Sequence, residues 1–260
     1  DKEAQAELSL GGKVQKLAGW PNEGFVGLKS VDKYTQRTKT AIANGCSFTV
    51  DFDRPSEWSR QSNVWLAGTL GPNYEFDYYP MSRFDKDNKR VFLREGAVVE
   101  YYTAPYFRFE NIPEELDSPG EYYIDRNTKM LYLYPSSDLS DKSDIILSQA
   151  TQNLITGSNV KNVTFKNLKI TSSRAGGIRV TGVENFNVIN CEISDMGTNG
   201  VYISGTKSSV KNSLIHDIGS TAVSMNGGDY ENEISSENSV VNNHIYKAAQ
   251  IERSYQSGIT

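Results

Sequence analysis

The chain has 260 residues, 37% apolar and 23% charged, with 15 Tyr and 10 Phe, which is enough to bury a core in one large or two ordinary domains. Its net charge of −5, with basic residues scattered rather than gathered, gives no electrostatic footprint for a nucleic acid, and no apolar run approaches the ~20 residues needed to span a membrane. Two distant cysteines, Cys46 and Cys191, and two histidines, His216 and His244, show no metal-ligand spacing, so neither a metal nor another cofactor is expected.

Residues 1–57 have no legible register and are assigned as irregular coils or a lead-in. Over residues 58–140, short alternating segments at 63–67, 91–93, 106–109 and 129–134 predict a small antiparallel β insert. Gly and Pro mark its turns at 70–73 and 118–120, and residues 111–116 suit one helical turn. Aromatics crowd this region: Trp58, Trp65, Tyr74, Phe76, Tyr78, Tyr79, Tyr101, Tyr102 and Tyr106. A small sandwich needs such rings for its core, and any exposed subset would stack on the apolar face of a sugar.

From residue 141 the sequence becomes periodic. Phe165, Val188, Val210 and Val240 each open a segment in which an asparagine (Asn167, Asn190, Asn212, Asn242) follows two places later and an isoleucine (Ile170, Ile193, Ile215, Ile245) five places later. The steps between asparagines are 23, 22 and 30 residues. A second apolar segment follows each, at 177–180, 200–203, 222–225 and 258–259, giving two strands per period. Strands this short bury nothing alone, so the period predicts an all-β fold: a right-handed parallel β-helix over 141–260 with at least three coils, cut short at Thr260. Asparagine at each corner tolerates left-handed backbone and can hydrogen-bond its equivalent one rung away. Cys191, on a strand, reads as a small buried hydrophobe.

The period breaks twice, by insertions after Met225 and after Ile245, and insertions in solenoids often border the binding face. After the inward isoleucines the coils carry Ser172, Asp195, Asp217 and Lys247 at equivalent positions. Rungs of a parallel stack lie ~4.8 Å apart, which places Asp195 and Asp217 side by side near the ~5–5.5 Å separation of a retaining glycosidase pair. Asp195, Asp217 and His216 are therefore the candidate catalytic residues, with Arg174, Glu252, Arg253 and Tyr255 as candidate substrate contacts. The competing reading is that Asp commonly opens turns after strands.

Four stretches resemble one group of proteins: Trp20-Pro21-Asn22-Glu23-Gly24; Trp58 with Asn63 to Gly68; Leu116 through Gly120-Glu121-Tyr122-Tyr123-Ile124-Asp125-Arg126; and Leu131 to Pro135. They look like the large right-handed β-helix carbohydrate-active enzymes of bacteria, closest to glycoside hydrolase family 141 and its relatives. The resemblance implies a secreted or periplasmic hydrolase of glycosidic bonds, with a carbohydrate polymer or oligosaccharide as partner and an acidic pair on the helix face. Members of that group are longer, with further coils after the point where this chain stops and their acids on those coils, so it also implies a fragment of a longer enzyme. Two other readings stand beside the hydrolase: a non-catalytic carbohydrate-binding or structural β-helix, and a polysaccharide lyase. Lys247 and Arg253 would supply a lyase base, although no dense Asp cluster suggests the Ca²⁺ cage such enzymes commonly need.

Overall fold

A chain with short β-branched strands and a left-handed residue at every corner can bury its apolar edges only by stacking coil on coil, and this is the arrangement in the computed structural model, which describes residues 8–31, 47–70, 74–94, 105–140 and 144–260. The described residues fall into two compact units, one between Gln15 and Ser143, the other before Gln15 and after Ser143.

The second unit contains the solenoid. Its rungs pair in parallel with equivalent residues in register: Ile178 with Val201, Val201 with Val223, and Val223 with Ile259 on one face. Val188, Val210 and Val240 align on the next face, and Ile193, Ile215 and Ile245 on the third. Ile178, Val188, Ile193, Val201, Ile203, Val210 and Ile215 are buried, with Cys191 among them as a free thiol. Cys46 lies outside the described residues. The same unit holds a small antiparallel sheet of Leu8–Leu10, Lys13–Val14 and Ile145–Leu147.

Each coil has three strand segments, not the two expected from the period. The corner asparagine splits what reads as one segment into two faces: Ser209–Lys211 ends at Asn212, and Leu214–Ile218 continues in a different sheet. Three columns of non-glycine residues hold φ between +51° and +69°: Asn162, Asn185, Lys207 and Glu237; Asn167, Asn190, Asn212 and Asn242; Ser172, Asp195, Asp217 and Lys247.

Hydrogen bonds between rungs satisfy these corners. The side-chain amide of Asn190 donates to Asn167 Oδ1 at 2.7 Å, Asn242 to Asn212 Oδ1 at 2.8 Å, and Asn185 to Asn162 Oδ1 at 2.8 Å. The residue after the corner also serves its neighbour. Ser213 Oγ accepts the Cys191 N–H at 3.1 Å, and Asn243 Oδ1 accepts the Ser213 N–H at 2.8 Å. Ser208 and Asn238 repeat this one corner earlier, accepting from Phe186 and Ser208 at 3.1 and 2.9 Å. Asn190→Val is expected to cost about 2 kcal/mol or more, from the lost amide bond and a β-branched residue at positive φ. Asn190→Gly, which keeps the backbone geometry and loses only the amide, should cost less in urea denaturation. Equal midpoints for the two variants would contradict this account.

The first unit is built on an antiparallel sheet whose central strands are Asp77–Asp85, Trp65–Thr69 and Tyr106–Glu110, with Arg90–Leu93 beside the first. Strands from before residue 58 share it, including Gly19–Trp20 and Ser47–Thr49. Phe48, Leu66, Met81, Phe107 and Phe109 fill its core. Of the aromatics expected to pack there, Trp58 and Tyr79 are buried while Tyr74 is 64% exposed; Tyr101 and Tyr102 lie outside the described residues.

Two acidic residues of the stretch around Pro119 and Gly120 hold its turns and strands. The buried Glu121 carboxylate accepts the N–H groups of Asp117 and Ser118, at 3.2 and 3.1 Å. Tyr122 is core, and Asp125 accepts the Asn127 N–H while pairing with Arg60 at 2.7 Å. Arg60 holds the Asp125 carboxyl down at about 2, well below the ordinary carboxylate range. The helical turn expected at 111–116 is a 3-10 turn, Pro113–Glu115, whose buried Glu115 receives Arg54 Nε at 2.7 Å and Trp58 Nε1 at 2.6 Å.

Candidate functional site

The third corner column carries the candidate chemistry. Ser194 is in register with His216 and Met196 with Ile218, so Asp195 and Asp217, between those pairs, occupy matching positions on successive rungs. Their left-handed backbone, φ +55° and +53°, interrupts the inward-outward alternation of the strand.

The two carboxylates have unlike surroundings. Asp195 is 8% exposed. Its Oδ2 accepts the Thr171 hydroxyl at 3.0 Å and the Ser194 hydroxyl at 3.4 Å, while Oδ1 is buried with no hydrogen-bond partner among the described residues. Burial pushes its pKa up, the Thr171 hydrogen bond opposes that, and the neighbouring Asp217 charge adds to the rise. Asp217 instead sits in a polar cluster. Lys247 Nζ donates to its Oδ1 at 2.9 Å, and His216 Nδ1 lies 2.7 Å from its Oδ2. The Lys247 ammonium is held above its ordinary value by that hydrogen bond with Asp217.

His216 is fixed from two further sides. Its ring stacks on Tyr246 with centroids 4.9 Å apart and planes 2° from parallel, and Nε2 lies 3.6 Å from Glu192 Oε1. Glu192 in turn pairs with Lys169 at 2.9 Å. Thr171, Glu192 and Tyr246 were not singled out from the sequence. The signal was present, because Thr171, Ser194, His216 and Tyr246 recur with the same 23-, 22- and 30-residue steps as the asparagines.

Asp195, Asp217 and His216 thus come together. Of the residues named as substrate contacts, Arg174 begins the turn after this column, its N–H donating to the Ala150 carbonyl at 2.9 Å. Glu252 accepts the Ser220 hydroxyl at 2.8 Å, three residues beyond Asp217. Arg253 and Tyr255 follow on the same loop, with Tyr255 82% exposed. The two insertions leave the coil at different corners, one before Ser239–Val241 and the other after His244–Tyr246. The first closes on itself, Asp229 and Ile234 exchanging backbone hydrogen bonds at 2.9 and 2.8 Å.

Among the described residues no group of three His, Cys, Asp or Glu side chains is placed to hold a metal ion, and no helix is long and apolar enough to cross a membrane.

Stacked parallel rungs with inward Ile and Val and an asparagine-lined corner define a right-handed parallel β-helix. Residues 123–259, more than half of the chain, match the family model of the right handed beta helix region, and the chain belongs to that family. Among solved structures, a glycoside hydrolase is similar in fold, with a TM-score of 0.72 at 12% identity over 94% of this chain and 54% of its own. The tailspike protein gp49 from Pseudomonas phage LKA1 aligns with a TM-score of 0.28 and 10% identity, over 93% of this chain and 37% of its own. An uncharacterized protein of Dictyostelium discoideum is 34% identical over 59 residues, 21% of this chain and 6% of that protein. The chain therefore spans about half the length of the glycoside hydrolase it resembles in fold.

Proposed function

We propose that this chain is part of a carbohydrate-acting β-helix that hydrolyses glycosidic bonds, with Asp195 as general acid and Asp217 as its partner carboxylate. The observation that carries this reading is the contrast between two carboxylates on adjoining rungs. One is buried and shifted toward its protonated form, and the other is ion-paired and hydrogen-bonded. The ~4.8 Å rung spacing suits a retaining mechanism, in which Asp195 gives its proton to the leaving glycosidic oxygen while Asp217 attacks the anomeric carbon. Water then displaces Asp217 from the sugar, with Asp195 taking the proton. His216, clamped by Tyr246 and bonded to Asp217, orients the attacking carboxylate. The glycoside hydrolase that shares the fold supports the reaction class, and the reading places the protein in a secreted or periplasmic compartment where polysaccharide is met.

A second reading, a non-catalytic carbohydrate-binding or structural β-helix, is favoured by one observation. Asp195 and Asp217 share positive φ with Ser172 and Lys247, as members of a corner column would whatever their chemistry. The lyase reading is disfavoured because Lys247 is tied to Asp217 and its proton is held more tightly, which is the wrong direction for a base.

Assays on xylan, pectin, fucosylated glycans and aryl-glycosides separate these readings. Loss of sugar release in Asp217→Asn, which removes the attacking carboxylate, is the expected outcome. Binding without turnover would favour the second reading, and an unsaturated product absorbing in the ultraviolet would favour the lyase.

A further inference from the structure

A second feature of the solenoid is not used by the carboxylate column. On the face that begins at Ile155, Thr156, Arg179 and Tyr202 lie in register on three successive rungs. They line a groove of about 460 Å³ together with Thr151, Gln152, Asn153, Thr198 and Asn199. Gly176 keeps it open at the next corner, where an added Cβ would stand 2.7 Å from the Asn199 carbonyl oxygen and would run into the Asn153 amide.

Arg179 lies with its guanidinium carbon 4.3 Å from the centre of the Tyr202 ring. That contact between the cation and the ring face steadies the guanidinium, while the side chain as a whole is exposed. Among the described residues no carboxylate pairs with Arg179 and no acceptor takes its hydrogen bonds. The side chains of Asn153, Thr156, Thr198 and Asn199 are likewise without a hydrogen-bond partner among the described residues. Elsewhere in the solenoid, polar side chains at the corners are spent on the neighbouring rung, as Ser208, Ser213, Asn238 and Asn243 are.

A planar guanidinium without an acidic partner can receive a carboxylate through two parallel hydrogen bonds. Amides and hydroxyls around it, each able to donate and to accept, match the hydroxyls of a sugar ring. We propose that this groove binds a carboxylated saccharide, a uronic-acid unit of an acidic polysaccharide, with Arg179 on the carboxylate and Asn153, Thr156, Thr198 and Asn199 on the hydroxyls. Tyr202 is a positioning residue, acting through Arg179. This names the substrate class of the hydrolase reading and rests on that reading for turnover only, because binding is measured without it.

The test is calorimetric titration of the whole chain with trigalacturonic acid, with the carboxyl-reduced galactotriose, and with a sulfated galactan trisaccharide. The acid is expected to bind on the order of 10-fold or more tightly than its reduced counterpart, the worth of one charge-assisted contact. Arg179→Gln, an exposed change, should abolish that preference while leaving the circular dichroism spectrum and melting temperature unchanged. Tyr202→Leu should narrow the preference, since the guanidinium loses its support. Absent hydrolysis by the wild-type chain with intact binding of the acid removes the hydrolase reading and keeps this one. Equal affinity for the acid and its reduced form, binding of neither, a preference that survives in Arg179→Gln, or tighter binding of the sulfated sugar would each overturn the proposal.

Discussion

Replacing Gly197 with alanine is expected to destabilise the solenoid by on the order of 3 kcal/mol or more, a large fraction of the stability of a typical domain. A Cβ at Gly197 would overlap the Arg174 carbonyl oxygen, with the carbonyl carbon 2.6 Å and the Arg174 Cα 3.1 Å away. Those atoms are backbone, so no rotamer change relieves the clash. Nor can the rungs separate, because the Gly197 N–H donates to the Ser173 carbonyl at 2.8 Å and the Gly219 N–H to the Met196 carbonyl at 2.7 Å. Gly219 stands in the same column, where a Cβ would overlap the Gly197 carbonyl oxygen, so the lesion falls on a repeated contact. Coils that touch only their neighbours have no other route by which to hold the stack together. Gly157→Ala is the matched control: its Cβ would meet Val180 Cγ1 at 3.5 Å and Val160 Cγ2 at 3.9 Å, ordinary packing distances. Urea denaturation should show a large loss for the first variant and a change within about 0.5 kcal/mol for the second. Equal midpoints would mean that the rungs are not held as tightly as their hydrogen bonds indicate.

This clash is invisible in the sequence, whereas the column of asparagines is not, and the difference is chemical. Asn167, Asn190, Asn212 and Asn242 repeat one residue type, because a left-handed corner that also bonds its equivalent is best met by asparagine, so the period can be read from them directly. The other two corner columns have the same backbone but mixed residues, Asn162 with Lys207 and Glu237 in one and Ser172 with Lys247 in the other. They emerge only by carrying the asparagine register five residues to either side. The asparagine marks a corner, but a run such as Val210 to Ile215 has too few residues on either side of Asn212 to show two alternating strands, so two strands per period are expected where the coil has three.

In the other unit, four alternating segments corresponding to Trp65–Thr69, Arg90–Leu93, Tyr106–Glu110 and Met130–Tyr134 are legible, but Asp77–Asp85 and Glu121–Asp125 are not among them, and Gly19–Trp20 and Val26–Gly27 are two residues each and carry no period. Their place in the sheet is set by long-range pairing with Tyr106–Glu110. At the site, register alone made neighbours of Asp195 and Asp217. What register does not reveal is that one is buried and the other paired, or that Arg179 lies over Tyr202, since both depend on which side chains surround each residue.

Asp195→Asn is expected to have opposite effects on stability and on activity. Burial raises the Asp195 pKa above its ordinary value of 3.8, so the folded chain binds this proton more tightly than the unfolded chain does. Below the ordinary value both states are protonated and the group contributes its full stability. As pH rises from there through the raised value, the unfolded chain releases the proton first, and stability falls until the folded carboxyl is also ionised. Above the raised value the wild-type protein carries a desolvated charge, which the neutral amide of the variant removes. The variant should match wild type at low pH, lack that part of the decline as pH rises, and be the more stable of the two above the raised value. In the same protein, hydrolysis should drop by about 10²- to 10⁴-fold, the usual contribution of a positioned acid. A gain in stability with loss of turnover identifies a residue kept for its chemistry against the interest of the fold. A variant with wild-type turnover, or one that shows the same decline in stability with pH as wild type, would assign Asp195 to the corner column alone.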